Sequence, residues 1–146
     1  MEIYEIKPNL YQASAPDEPQ KVIDLKPDLI IDLTPKFDAQ LNEKAFIYWG
    51  IDDLPWMPDE DILWGIAQCA WTVWSKGKRV LTHCQAGCNR SGLMNGCILF
   101  LSGMNGKDAL DLIWKQRPGA LVNPVELVKE TLFGKVELRK IERCQS

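Results

Sequence analysis

Apolar and polar positions change their period along the chain, and those changes mark its elements. From Ile3 to Tyr11 the two kinds alternate around Pro8-Asn9, which predicts two short strands joined by a turn. After a loop from Pro16 to Pro19, Gln20 to Leu25 predicts a turn or two of helix. The run DLIIDLT, Asp28 to Thr34, is branched and mostly apolar between Pro27 and Pro35, the pattern of a buried strand, and Ala45 to Ile51 reads as another. The prolines and acids of IDDLPWMPDED, residues 51 to 61, forbid regular structure until a helix starts near Asp59 or Glu60. On that helix Ile62, Ile66, Cys69 and Val73 recur at helical spacing and are expected on one face, with Trp64 and Trp71 opposite. Lys76-Gly77-Lys78 ends it. Arg79 to Cys84 predicts a strand, and Arg90 to Ser102 an apolar helix closed by Gly103. A further helix runs from Gly106 or Lys107 to Gln116, stopped by Arg117-Pro118-Gly119, and a last one starts around Pro124 with a break expected at Gly134.

Strands alternating with helices predict an α/β layer structure. The expected architecture is a central, mostly parallel sheet of about four or five strands with helices on both faces and the strand from 79 to 84 in the middle. All 146 residues are expected to form one domain, long enough to bury a core without disulfides or metals. In such sheets ligands bind beyond the carboxyl ends of the strands, which is where residues 84 to 90 fall.

Charge and composition narrow the function. A net charge of −3 argues against a nucleic-acid coat or a membrane-surface protein, which usually carry a basic face, so any affinity for phosphate must be local. The start MEIYEIKPNL lacks the basic, then apolar, character of a signal peptide, and the apolar run from Cys97 to Leu101 is too short to span a bilayer. A soluble cytoplasmic monomer is expected. Five irregularly spaced cysteines, Cys69, Cys84, Cys88, Cys97 and Cys144, read as reduced thiols.

The chemistry is concentrated in HCQAGCNRSG, residues 83 to 92. A strand, a glycine-bearing loop and a helix start together make a cradle for an anion, because backbone N–H groups turn inward and the helix dipole adds partial positive charge. Arg90, at the helix start, can grip two phosphoryl oxygens at once, which lysine cannot do. The same positive charge favours a thiolate at Cys84, which would face the bound phosphate as a nucleophile.

The motif H-C-x-x-G-x-x-R-[ST]-G resembles the signature of the cysteine-dependent tyrosine and dual-specificity phosphatases, matched here by His83, Cys84, Gly87, Arg90, Ser91 and Gly92. The likeness extends to Leu10-Tyr11, Asp53 and Lys115 to Asn123, so it covers most of the chain and is similar to the compact, bacterial-like members. It implies a cysteinyl-phosphate intermediate, with residues Gln85, Ala86, Gly87, Cys88, Asn89 and Arg90 binding the phosphate. It implies a general acid about thirty residues upstream of Cys84, where Asp53 is preferred and Asp52 is the alternative. Ser91 would hydrogen-bond the departing thiolate, His83 would orient Cys84 and the loop, and Asn123 would brace the site. The resemblance also lays the 59 to 74 helix against the sheet, so its tryptophan side is expected to be buried as well.

The implied substrate is a phosphorylated protein, on tyrosine and, in the wider reading, on serine or threonine, with no cofactor and no metal. A phosphoinositide or an RNA 5'-phosphate is the alternative substrate: the loop lacks the extra lysines of lipid-directed relatives, while Asn89-Arg90 is similar to RNA 5'-triphosphatases. A phosphoprotein-binding pseudophosphatase is disfavoured because Cys84, Arg90 and the acid are all retained. Zinc is disfavoured because His83 is the chain's single histidine and a fourth ligand is missing. Cys88 departs from the commoner loops; it is expected to be a small core-facing residue, the other reading being a reversible disulfide with Cys84. Trp56-Met57 is expected to pin the acid loop, the other reading being that it lines the substrate mouth. Lys76, Lys78 and Arg79 lie at the far end of their strand and form a solvated turn.

Overall fold

A computed structural model of the chain describes residues 1–35, 45–54, 56–121 and 125–135. Alternation near the start produces β1 (Ile3–Lys7) and β2 (Leu10–Ala13), paired antiparallel across Pro8 and Asn9. Asn9 takes φ 71°, a left-handed turn position that asparagine tolerates better than most residues. After α1 (Pro19–Leu25) come β3 (Leu29–Asp32) and β4 (Ala45–Tyr48), then α2 (Glu60–Trp74), β5 (Val80–His83), α3 (Asn89–Leu101), α4 (Gly106–Gln116) and α5 (Val125–Lys129), which runs on into a π-helical turn, Glu130–Lys135. Hydrogen bonding thus changes at Glu130, four residues before the expected break at Gly134.

The five strands form one sheet in the order β1-β2-β5-β3-β4. β5 is central and parallel to β2 and β3, and β3 is parallel to β4, leaving β1–β2 as the antiparallel pair. Every residue of β3 and β5 is buried, as expected of parallel strands covered on both faces. The two-residue period sorts the side chains. Leu10, Leu29, Ile31 and Val80 join the main core with residues of α2, α3 and α4, whereas Tyr11, Ala13, Ile30 and Leu81 pack with Val22 of α1. Helices therefore cover both faces, and the sheet is mostly parallel, as the sequence predicts.

α3 passes through the middle of the larger layer, buried at every position from Arg90 to Phe100 and flanked by α2 and α4. A helix enclosed on all sides has little amphipathic pattern, and small residues where neighbours come close: a Cβ on Gly92 would sit 2.9 Å from Leu121 Cγ.

The expected core face of α2 is overturned. Leu63, Ala67 and Ala70 are buried, Trp64, Trp71 and Trp74 are half-buried against the core, Ile62 is 46% exposed and Cys69 is exposed. Ile66 and Val73 lie at the margin, so the helix is not buried on both sides. The physical reason is closeness: alanines let the α2 backbone approach its neighbour α3, and Trp64 sets its ring edge on Phe100 at 5.8 Å between centroids. Ranking residues by hydrophobicity alone favours isoleucine over alanine and selects the wrong stripe. Asp59 caps this helix, accepting from the Asp61 and Ile62 amides, and Asn105 caps α4 in the same way through Asp108. Among the described residues no helix is long and apolar enough to cross a membrane.

Candidate active site

β5 ends at His83, and the chain turns through residues 84 to 88 into the first turn of α3. That turn depends on Gly87. Its φ is +70°, and a Cβ there would lie 2.7 Å from the Ser14 nitrogen and 2.8 Å from the Ala13 carbonyl carbon, both backbone atoms that cannot rotate away. The loop is tied to the end of β2 by the Ala15 amide donating to the Gln85 carbonyl (3.1 Å) and the Cys84 amide to the Ala13 carbonyl (3.3 Å).

A polar pair beneath the loop was not legible in the sequence. Gln12, wholly buried, donates from Nε2 to the carbonyls of Gly87 (2.9 Å) and Cys88 (3.5 Å). Its Oε1 accepts from Asn95 Nδ2 (3.4 Å), which also donates to the Tyr11 carbonyl (3.2 Å). β2 and α3 thus brace the loop from below through side chains more than eighty residues apart in the chain. The one sign available beforehand was a polar residue inside an otherwise apolar strand.

Cys84 is 2% exposed, with Sγ 3.2 Å from Ser91 Oγ. Ser91 belongs to the first turn of α3, whose amides have no helical partner and are free to meet an anion. Arg90 is 7% exposed; its Nη1 donates to the Ile51 carbonyl at 2.9 Å and, more weakly, to the Leu33 carbonyl at 3.5 Å. Its Nε is buried, makes no hydrogen bond among the described residues, and lies 3.7 Å from Asp53 Oδ1. Asp53 is half exposed and also accepts from the Leu54 amide at 2.9 Å. Asp52 is exposed and lines a neighbouring cavity with Trp49 and Trp56. Of the two acids, Asp53 is the one brought to Arg90.

His83 is buried opposite Asp32 in the β3–β5 register, Nε2 to Oδ1 3.7 Å. Asp32 is held in turn by the Thr34 amide (2.8 Å) and hydroxyl. Sequence reasoning did not find Asp32, because its partners come from a neighbouring strand. Gln85 and Ala86 are exposed at the loop tip, and Asn89 is half-buried. Asn123 lies outside the described residues.

Cys88 does not face the core. Its sulfur is partly exposed, accepts from Arg117 Nη2 at 3.0 Å and lies 3.6 Å from the Ala86 carbonyl. The Arg117 guanidinium stacks 4.8 Å above the Tyr4 ring. The reason for the correction is position: Cys88 is the residue just before α3, ahead of the helix positions whose side chains are buried. Both Cys84 and Cys88 are free thiols with different partners, Ser91 and Arg117. Trp56 is 75% exposed, whereas Met57 accepts from the Thr131 hydroxyl at 3.6 Å.

No family model and no curated protein matches the chain. Solved structures do. A crystal structure of human DUSP28 superposes with a TM-score of 0.79 at 18% identity, covering 98% of this chain and 99% of that one. Tk-PTP in its active form gives a TM-score of 0.73 at 24% identity over 88% and 95% of the two chains. PTPMT1 gives 0.75 at 18% identity over 97% and 99%, and it also has a structure in complex with PI(5)P that gives 0.70. The chain has the fold of the compact dual-specificity phosphatases.

Proposed function

We propose that this chain is a cysteine-dependent phosphatase of the compact dual-specificity type that hydrolyses phosphomonoesters on proteins, phosphotyrosine first and phosphoserine or phosphothreonine in a wider range. The observation that carries the reading is the Arg90 guanidinium. It is buried, in the first turn of the helix that follows the Cys84 loop, and held by one nitrogen on the Ile51 carbonyl, while its Nε makes no hydrogen bond among the described residues and lies 3.7 Å from Asp53 Oδ1. Asp53 offers charge but stands beyond hydrogen-bond distance, and a phosphoryl oxygen arriving at that N–H would give it a charge-assisted acceptor.

In the first step the Cys84 thiolate forms an S–P bond as the P–O bond to the leaving alcohol breaks. Asp53 gives its proton to that oxygen. In the second, the Asp53 carboxylate takes a proton from a water that attacks phosphorus, and the S–P bond breaks. The Ser91 hydroxyl, 3.2 Å from the sulfur, donates to the thiolate as it re-forms. Arg90 and the amides opening α3 carry the charge on the transferring group, so the reading requires no metal. His83, buried 3.7 Å from Asp32, would support the strand end that leads into Cys84.

The test is hydrolysis of an aryl phosphate. Cys84→Ser should abolish it, and Asp53→Ala should lower kcat by ~10² to 10⁴, more for alkyl than for aryl leaving groups. Asp52→Ala should leave that leaving-group dependence unchanged. Turnover retained by Cys84→Ser refutes the nucleophile, and an equal loss in both aspartate variants refutes the choice of acid. Phosphoinositide is the weaker reading, because the 85 to 89 loop is uncharged and residues 52, 53, 59, 60 and 61 are all acidic, unsuited to a polyanionic head group. Phosphopeptides, inositol phosphates and triphosphorylated RNA assayed side by side separate these substrates.

A further inference from the structure

Beside the Arg90 site lies a cavity of about 270 Å³ that the proposed chemistry does not use. Trp49, Trp56, Met57 and Ile51 form its apolar walls, and Asp52 and Asp59 stand on its lining. The two carboxylates differ. Asp59 is committed to the cap of α2, accepting from two amides. Asp52 makes no ion pair or hydrogen bond among the described residues, and Trp56, at 75% exposure, leaves a broad aromatic face open to solvent. Trp49 also packs against the main core.

We propose that this cavity is a subsite for a cationic side chain, lysine or arginine, flanking the phosphorylated residue of the substrate. The chemistry of the lining selects that occupant. An indole face attracts a cation through its quadrupole, a free carboxylate supplies the opposite charge, and Met57 and Ile51 accept the apolar stem of a long side chain. An acidic or phosphorylated neighbour would meet Asp52 and Asp59 and be repelled. The cavity sits where a flanking residue would reach, since one stretch of chain serves both sites: the Ile51 carbonyl holds Arg90, Asp53 lies against the same guanidinium, and Ile51 and Asp52 line the cavity. One guanidinium-facing site for the phosphate and one carboxylate-bearing site for the cation make a local dipole that fixes the direction in which a peptide lies.

The proposal rests on the phosphoprotein reading above, and its test separates the two. Phosphotyrosine peptides in an alanine background carry a single arginine, alanine or glutamate, walked through the positions on either side of the phosphotyrosine, and kcat/KM is measured for each. At one or two positions arginine should exceed glutamate by roughly tenfold, the size of a cation–π contact beside a partly enclosed carboxylate. That ratio should collapse toward one in Trp56→Ala, and in Asp52→Asn, which removes charge while keeping shape. It should shrink with added salt in the parent. A flat profile in the parent, or a ratio unchanged in both variants, overturns the subsite while leaving the phosphatase reading standing. Hydrolysis of an aryl phosphate with no peptide turned over at any sequence overturns the phosphoprotein reading, and the subsite with it.

Discussion

Gln12→Leu isolates the bracing of the 84 to 88 loop from the chemistry proposed for it. The replacement has a similar volume, so it tests polarity rather than packing. The parent side chain is wholly buried and donates at 2.9 Å to the carbonyl of Gly87, a buried residue of the loop itself. Removing the donor leaves that carbonyl unsatisfied in a low-dielectric setting, a cost of ~1–3 kcal/mol. The longer bonds, 3.5 Å to Cys88 and 3.4 Å from Asn95, add little, and Asn95 keeps the Tyr11 carbonyl at 3.2 Å. A loss of about 2 kcal/mol follows. For a domain of this size that lowers Tm by roughly 4–8 °C. Because the lost bond holds the loop, inhibition by inorganic phosphate should weaken as well. Urea unfolding of Gln12→Leu, Asn95→Ala and the double variant gives the coupling, expected at about 0.5 kcal/mol or more because the two side chains are in contact. A Gln12→Leu protein within about 0.5 kcal/mol of the parent, with phosphate inhibition unaltered, would refute the reasoning.

Gly87→Ala should cost at least about 2 kcal/mol and abolish phosphate inhibition, since a left-handed φ of +70° is combined with backbone contacts at 2.7 and 2.8 Å; a stable, inhibitable variant contradicts this. On α2, Leu63→Ala should lose ~2–5 kcal/mol in urea unfolding while Ile62→Ala stays within about 0.5, and the reverse order would restore the isoleucine stripe as the core face. Thiol labelling under native conditions should modify exposed Cys69 promptly and spare Cys97, whose thiol burial, and after it the Glu60 carboxylate, push up well above its ordinary range. Mass spectrometry of the labelled peptides decides, and equal rates for the two sites would count against the packing of α3.

Much of this molecule could be read from local signals. Prolines bracketing DLIIDLT marked β3, the turn at Pro8-Asn9 marked the hairpin, and Lys76-Gly77-Lys78 marked the end of α2, because backbone constraints of this kind act within a few residues. The loop from His83 to Gly92 was legible for the same reason: cysteine, glycine and arginine lie close together in one strand–loop–helix segment. Other features depended on partners far away in sequence. Asp52 and Asp53 are neighbours of identical chemistry, and the course of the chain past Arg90 decides that Asp53 meets the guanidinium. Arg117 reaches Cys88 from 29 residues away, Asp32 reaches His83 across the β3–β5 register, and Gln12 supports Gly87 from 75 residues away. The burial of alanines rather than isoleucines on α2 reflects the distance to α3, a property of two helices together. The sequence by itself determined the order of elements and the strand–loop–helix setting of residues 83 to 92, since both arise from short-range constraints. The direction in which each acid, amide and thiol points was decided by the tertiary structure, because only packing brings their partners within hydrogen-bonding distance.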